Sequence, residues 1–244
     1  MKLTVVGFRG GYPGKDEASS GYILEENGFR LLIDCGSAVI SHLHRYIQPE
    51  ELDAVIISHY HADHIADIGI LQHARLIQSF LGKQMPNLPI YGHQEDRLKF
   101  HELTYKQITN GIAYDPNSKL QVGPLTISFL RTNHPVPCFA MRFEAGGKAL
   151  VYTADTSFKE EFIEFSNDAD LLICECNLYK GQDGKAAGHM TSEEAGKLAA
   201  EAGVRSLILT HLPHYGDVTQ LVQEAKENYN GPVALAHSGL QVTL

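Results

Sequence analysis

The chain has 244 residues, 43% of them hydrophobic and 20% charged, with a formal net charge of −9. That length and apolar content can bury a sizeable core and argue against global disorder. The acidic balance, with Lys and Arg scattered rather than gathered in a stripe, excludes a general binder of extended nucleic acid; a phosphate substrate stays open, because two bound divalent cations would add about +4 locally.

Residues 3–8 read as an opening strand, and the apolar stretch around them is too short for a secretory signal. Gly10-Gly11-Tyr12-Pro13-Gly14 then breaks the pattern into a loop. Residues 20–25 and 30–34 form a predicted hairpin about Glu26-Asn27-Gly28, since Asn-Gly is a favoured turn pair. A helix is expected over 36–46, and an apolar strand-like run over 52–58 stops at a histidine-rich turn. Ile65, Ile68, Leu71 and Leu76 have helical spacing and predict a helix over 65–81. A short strand over 88–91 and a helix over 95–103 follow, while 104–117 is polar and has no assignable element.

Strand-like runs at 125–130, 139–144 and 149–153 come next, the last two separated by a Gly146-Gly147 turn. A helix is expected over 158–165 and a strand over 171–176. Thr191-Ser192-Glu193-Glu194 is a capping box opening a helix to Ala202. A strand over 206–210 ends in His211, and a helix over 218–228 and a strand over 233–236 complete the chain. No stretch reaches the roughly 18–20 apolar residues of a membrane span. Cys35, Cys138, Cys174 and Cys176 form no CxxC pair and read as buried small hydrophobes. Each half runs from strand-rich to alternating α/β, with no linker or short repeat. The expectation is one α/β domain over 1–244, soluble, cytoplasmic and without a membrane partner.

His59-x-His61-x-Asp63-His64 carries the chemistry. Four ligand-type side chains fall within six residues directly after an apolar strand, and imidazole and carboxylate suit zinc and its neighbours. Four ligands this dense can hardly all serve one ion. Alternate residues of an extended turn face opposite sides, so the pairs can serve two adjacent metals.

This pattern resembles the signature of the metallo-β-lactamase superfamily, and that family's other motifs follow in order. They are Asp34 in Leu32-Ile33-Asp34-Cys35-Gly36, His134 in Thr132-Asn133-His134, Asp155 in Val151-Tyr152-Thr153-Ala154-Asp155-Thr156, and His211 in Leu207-Ile208-Leu209-Thr210-His211. The resemblance covers nearly the whole chain. It implies a four-layer αβ/βα sandwich with two mixed β-sheets flanked by helices. It also implies His59, His61 and His134 on one ion, Asp63, His64 and His211 on a second, Asp155 bridging, and Asp34 orienting the histidine turn. Zn²⁺ is the expected metal, with Mn²⁺ or Fe as alternatives. Two ions about 3.5–4 Å apart would share a hydroxide and polarise the substrate, with Asp63 orienting that hydroxide or taking its proton.

Gly188-His189-Met190-Thr191 resembles the histidine motif of the ribonuclease Z and phosphodiesterase branch, and Thr210-His211-Leu212-Pro213-His214-Tyr215 agrees. The resemblance implies that His189 contacts the scissile phosphate or protonates the leaving oxygen. Glu175 also matches the branch; a buried carboxylate there needs a partner, which His189 or a metal-bound group could supply. The turn around Gly10 and Gly11 resembles the branch's opening glycine turn, whose N–H groups could approach the site. Two departures stand out. The tRNA-clamping arm of ribonuclease Z has no room between His134 and Asp155, and the closing Asp-Gly pair is His237-Ser238-Gly239 here. His73, His93 and His101 read as ordinary histidines, His237 as structural, and His214 is left open.

The expected function is a dinuclear metal-dependent hydrolase, a phosphodiesterase on a small nucleotide, cyclic phosphate or short RNA end. Alternatives are a thioesterase, lactonase or sulfatase on the same scaffold, a tRNA 3′-processing endonuclease, or a metal- or ligand-binding carrier. Partners would be a small phosphorylated or ester substrate and, from the resemblance, a second copy, with 104–117 as a candidate interface or lid.

Overall fold

Strand-forming runs and amphipathic segments alternate along the chain, and the computed structural model, which describes residues 1–244, resolves them into fourteen strands and seven α-helices. Contacts group the residues into two compact units, Lys2–Asp115 with His237–Thr243, and Pro116–Ala236 with the two terminal residues.

The first unit opens with β1 (Lys2–Gly7), β2 (Gly21–Glu26) and β3 (Phe29–Ile33), in which β2 and β3 meet at the predicted Asn27-Gly28 turn. It continues through α1 (Val39–Leu43), β4 (Ala54–Ile56), α2 (Ala62–Ile65), α3 (Ile68–Phe80), β5 (Leu88–Gly92), α4 (Arg97–Glu102) and β6 (Thr109–Ala113). The second unit contains β7 (Leu120–Val122), β8 (Leu125–Arg131), β9 (Phe139–Ala145), β10 (Lys148–Tyr152), α5 (Glu161–Phe165), β11 (Leu171–Glu175), α6 (Ser192–Glu201), β12 (Leu207–Thr210), α7 (Thr219–Lys226) and β13 (Val233–Leu235). The last strand, β14 (Gln241–Thr243), returns to the first unit.

Each unit holds a mixed seven-stranded sheet, in the orders β14-β1-β2-β3-β4-β5-β6 and β13-β12-β11-β10-β9-β8-β7. In the first, β14 to β3 pair antiparallel and β3 to β6 parallel. In the second, β7 to β10 are antiparallel and β10 to β13 parallel. The central parallel strands are continuous apolar runs buried on both faces, as parallel strands require: Leu31–Ile33 in β3, Ala54–Ile57 through β4, Leu171–Cys174 in β11 and Leu207–Leu209 in β12. Loops leaving the carboxyl ends of such strands form the crevice where α/β sheets bind ligands. Those loops here carry Asp34, Ser58, Asp155, Asn177 and His211.

The two mixed sheets match the expected fold, and the Thr191–Glu194 capping box is present at α6. Three helices differ from expectation. The one over 36–46 is only α1, because Gly36 N–H and Ser37 C=O bond to Ser20 and Ser19 and Ala38 is left-handed at φ 65°. The one over 65–81 divides at Ala66-Asp67, where Asp67 N–H donates to Cys35 C=O and its carboxylate accepts Ile40 N–H at 2.9 Å. The one over 158–165 shrinks to α5, because Ser157 N–H bonds to Asn133 C=O and keeps the approach extended. The unassigned segment 104–117 contributes β6, an edge strand whose exposed residues conceal its pattern. All four cysteines are buried and free. No helix is long and apolar enough to cross a membrane.

Candidate metal centre

In the first unit, the histidine turn follows β4. Asp34, left-handed at φ 55° just beyond β3, sends both carboxylate oxygens towards it. Oδ1 accepts Ser58 N–H at 2.8 Å, and Oδ2 lies 2.8 Å from Ser58 Oγ and 2.8 Å from His64 Nδ1. Asp34, Ser58, His59 and His64 have no solvent exposure. His61 caps α2 in extended conformation, which places Asp63 and His64 on its first turn. His59 Nε2 lies 3.2 Å from His61 Nδ1, and His64 Nε2 lies 3.5 Å from Asp63 Oδ2. Gly11 N–H donates to Asp63 Oδ2 at 2.7 Å, so the glycine turn does reach a ligand-type carboxylate. Gly10 C=O accepts Tyr12 N–H at 2.9 Å within the same turn. The backbone there is close-packed: a Cβ on Gly36 would lie 1.9 Å from Asp63 C=O. Tyr60 turns the other way, and its hydroxyl donates to His93 C=O at 2.6 Å.

In the second unit, Asp155 follows β10, Glu175 ends β11 and His211 follows β12, with Ala154 and His211 left-handed at φ 51° and 53°. Such backbone in non-glycine residues costs free energy and concentrates where a site holds its ligands in place. Asp155 Oδ2 lies 3.2 Å from His211 Nε2 and 4.0 Å from His134 Nε2, so one oxygen faces both rings. His134 Nδ1 is 3.1 Å from Gly188 C=O, and His189 Nδ1 is 2.9 Å from Glu175 Oε1. Glu175 is fully buried and also accepts Thr156 N–H at 3.0 Å and Asn177 N–H at 3.2 Å. The His189 ring stacks on His211 with centroids 5.2 Å apart. Its side chain is 19% exposed, against 2–4% for His134, Asp155 and His211.

The donor chemistry of both units fits divalent cations. His64, His134 and His189 each hold Nδ1 against a carboxylate or backbone carbonyl. That is how metal-ligating imidazoles fix their tautomer and present the opposite nitrogen. Glu175, His189 and His211 each offer one ligand atom within 4.8 Å of the others.

His73, His101, His214 and His237 are exposed. His93 is buried: its Nδ1 accepts Glu95 N–H at 3.2 Å and its ring packs on Tyr60 with centroids 4.5 Å apart. At the altered closing motif, His237 Nδ1 is 3.3 Å from Ser238 C=O and Ser238 Oγ donates to Val6 C=O at 2.8 Å, an arrangement that ties the chain end to β1. Two residues that matter here escaped sequence reasoning. Ser58 touches both Asp34 and His59. Asn177 donates from Nδ2 to His211 C=O at 3.0 Å and so supports its strained backbone. Ser58 borders the motif, but its partners lie across the sheet, and Asn177 carries no sequence signal.

Residues 29–212 match the beta-lactamase superfamily domain. The chain is 56% identical over 239 residues to "Probable metallo-hydrolase YhfI" of Bacillus subtilis (strain 168), with 98% of each covered. The crystal structure of the metallo-beta-lactamase fold protein YhfI from Bacillus subtilis matches with a TM-score of 0.98 and 55% identity, covering 99% of this chain and 98% of that one. Ribonuclease Z of Myxococcus xanthus (strain DK1622) is 28% identical over 306 residues, covering 100% of this chain and 98% of the relative. With mixed sheets that end in buried His/Asp clusters, and with a family match over most of its length, the chain belongs to the metallo-β-lactamase superfamily and is a metal-dependent hydrolase of that fold.

Proposed function

We propose that the two units act as one domain, a dinuclear hydrolase of small phosphodiesters such as a nucleotide, a cyclic phosphate or a short RNA end. His59, His61 and His134 would hold one ion and Asp63, His64 and His211 the other, with Asp155 as a further donor. The donor set favours Zn²⁺, with Mn²⁺ or Fe able to replace it. Bound there, the ions would supply Lewis acidity and lower the pKa of water.

The chain's own residues do the rest. Asp63, fixed by Gly11 N–H, orients the attacking water and accepts its proton. Asp34 holds the histidine turn. His189 faces the substrate as the proton donor to the leaving oxygen. The observation that carries the phosphodiester reading is the His189–Glu175 pair: a buried carboxylate orients an imidazole that stacks on a ligand histidine and is the most exposed ring of its cluster. The relative named ribonuclease Z supports the same bond class. Transfer-RNA processing is disfavoured, because the span from His134 to Asp155 is filled by β9, Gly146-Gly147 and β10. Four buried, free cysteines support a reducing compartment such as the cytoplasm.

The test is His189→Ala on a substrate panel. Hydrolysis of bis(p-nitrophenyl) phosphate should fall about 10²–10⁴-fold with metal content unchanged. Turnover of thioesters or lactones above that of phosphodiesters, insensitive to the substitution, would favour the other hydrolase readings. Efficient cleavage of a tRNA precursor would overturn the small-substrate reading.

A further inference from the structure

A metal-ligating imidazole must carry its proton on the nitrogen that does not meet the metal, and in the histidine turn one buried carboxylate is placed to decide this for two rings. Asp34, as a carboxylate, only accepts hydrogen bonds. Its Oδ2 accepts a hydrogen bond directly from the Nδ1–H of His64, at 2.8 Å. The same oxygen lies 2.8 Å from Ser58 Oγ, which commits the single hydroxyl proton of Ser58 to Asp34. Only oxygen lone pairs of Ser58 are then left for His59 Nδ1, 3.1 Å away. A bare Nδ1 would set lone pair against lone pair, so a neutral His59 carries its proton on Nδ1 and presents Nε2 bare. That Nε2 is the atom 3.2 Å from His61 Nδ1.

We infer that Ser58 is a positioning residue that relays Asp34 to His59 and locks His59 as the Nδ1–H tautomer. This inference rests on the metal-centre reading above. The lock matters because neutral imidazole in water prefers the opposite tautomer, with the proton on Nε2, which would block the ligand nitrogen. Nor is the hydroxyl needed to hold the turn. Ser58 N–H is bonded separately to Asp34 Oδ1 at 2.8 Å, so the backbone stays anchored when Oγ is removed.

Two readouts on Ser58→Ala and Ser58→Thr test this. Long-range ¹H–¹⁵N NMR of the metal-free protein at a pH where His59 is neutral should show Nδ1–H in the wild type and Ser58→Thr, and a shift towards Nε2–H in Ser58→Ala. Chelator competition with Zn²⁺ should show one of two equivalents weakened about 10–100-fold in Ser58→Ala and restored in Ser58→Thr. If Ser58→Ala does not fold, Ser58→Cys, which keeps the volume but accepts hydrogen bonds poorly, should behave as described for the alanine variant. An unchanged tautomer with unchanged affinity in Ser58→Ala would overturn the inference. So would an equal loss in Ser58→Thr, which would assign the effect to packing. A wild type that binds no Zn²⁺ would sink the metal-centre reading itself, while the NMR comparison would still decide the role of Ser58.

Discussion

His134 depends on a residue without a side chain. Gly188 is left-handed at φ 73°, and a Cβ there would lie 2.8 Å from His134 Nδ1, the atom its carbonyl holds at 3.1 Å. Gly188→Ala should therefore displace the ring as well as strain the backbone. We expect at least a tenfold loss of hydrolysis and reduced metal content, with stability lowered by about 1–3 kcal/mol; metal analysis and thermal melting check this, and wild-type metal content with wild-type rate would contradict it. The His/Asp clusters that could hold a metal were legible because HxHxDH packs so much donor chemistry into one turn that few other readings remain. Ser58 and Asn177 were not, because a serine or asparagine acquires meaning only from what lies across the sheet: Asp34 from the neighbouring β3 for one, the carbonyl of His211 for the other.

At the scale of elements, the parallel strands that aim the site are held in register partly by Asp170, just before β11. Its carboxylate accepts Ala149 N–H from β10 at 3.0 Å, pairs with Lys148 at 2.9 Å and meets Arg205 at 3.1 Å. Burial pushes this carboxyl pKa up, but the Ala149 amide and the two cations together outweigh it and leave the pKa below its ordinary value. With the folded-state pKa depressed, the contribution to stability is complete above the ordinary carboxylate pKa and is lost as pH falls through the folded value. Asp170→Asn should cost about 1 kcal/mol near neutrality, discounted for solvent screening, and should flatten the decline in melting temperature below about pH 4. Parallel melting curves of variant and wild type across that range check it, and identical slopes would contradict it. Long periodic elements were legible at this scale and tertiary interruptions were not. Nothing in the spacing of Ile65, Ile68, Leu71 and Leu76 says that Asp67 will bind the amide of Ile40 and divide the helix. Strands β6, β7 and β14 are short or at sheet edges, where alternation fades.

For the whole molecule, the strand-rich start and α/β finish of each half is the sequence trace of two sheets that each pass from antiparallel to parallel pairing. The parallel ends deliver ligand-type residues in each unit, His59, His61, Asp63 and His64 in one and Asp155 and His211 in the other, where the antiparallel β8–β9 connection adds His134. A net charge of −9 fits the proposed small substrate better than a long polyanion. We propose that these residues form one dinuclear hydrolytic centre. It is tested most directly by adding Zn²⁺ in steps to metal-free protein while following bis(p-nitrophenyl) phosphate hydrolysis, in the wild type and in His61→Ala. We expect full activity only as the wild type takes up its second equivalent, and a His61→Ala variant that binds less metal and has lost essentially all turnover. Full activity in His61→Ala, or in wild type carrying a single ion, would contradict it.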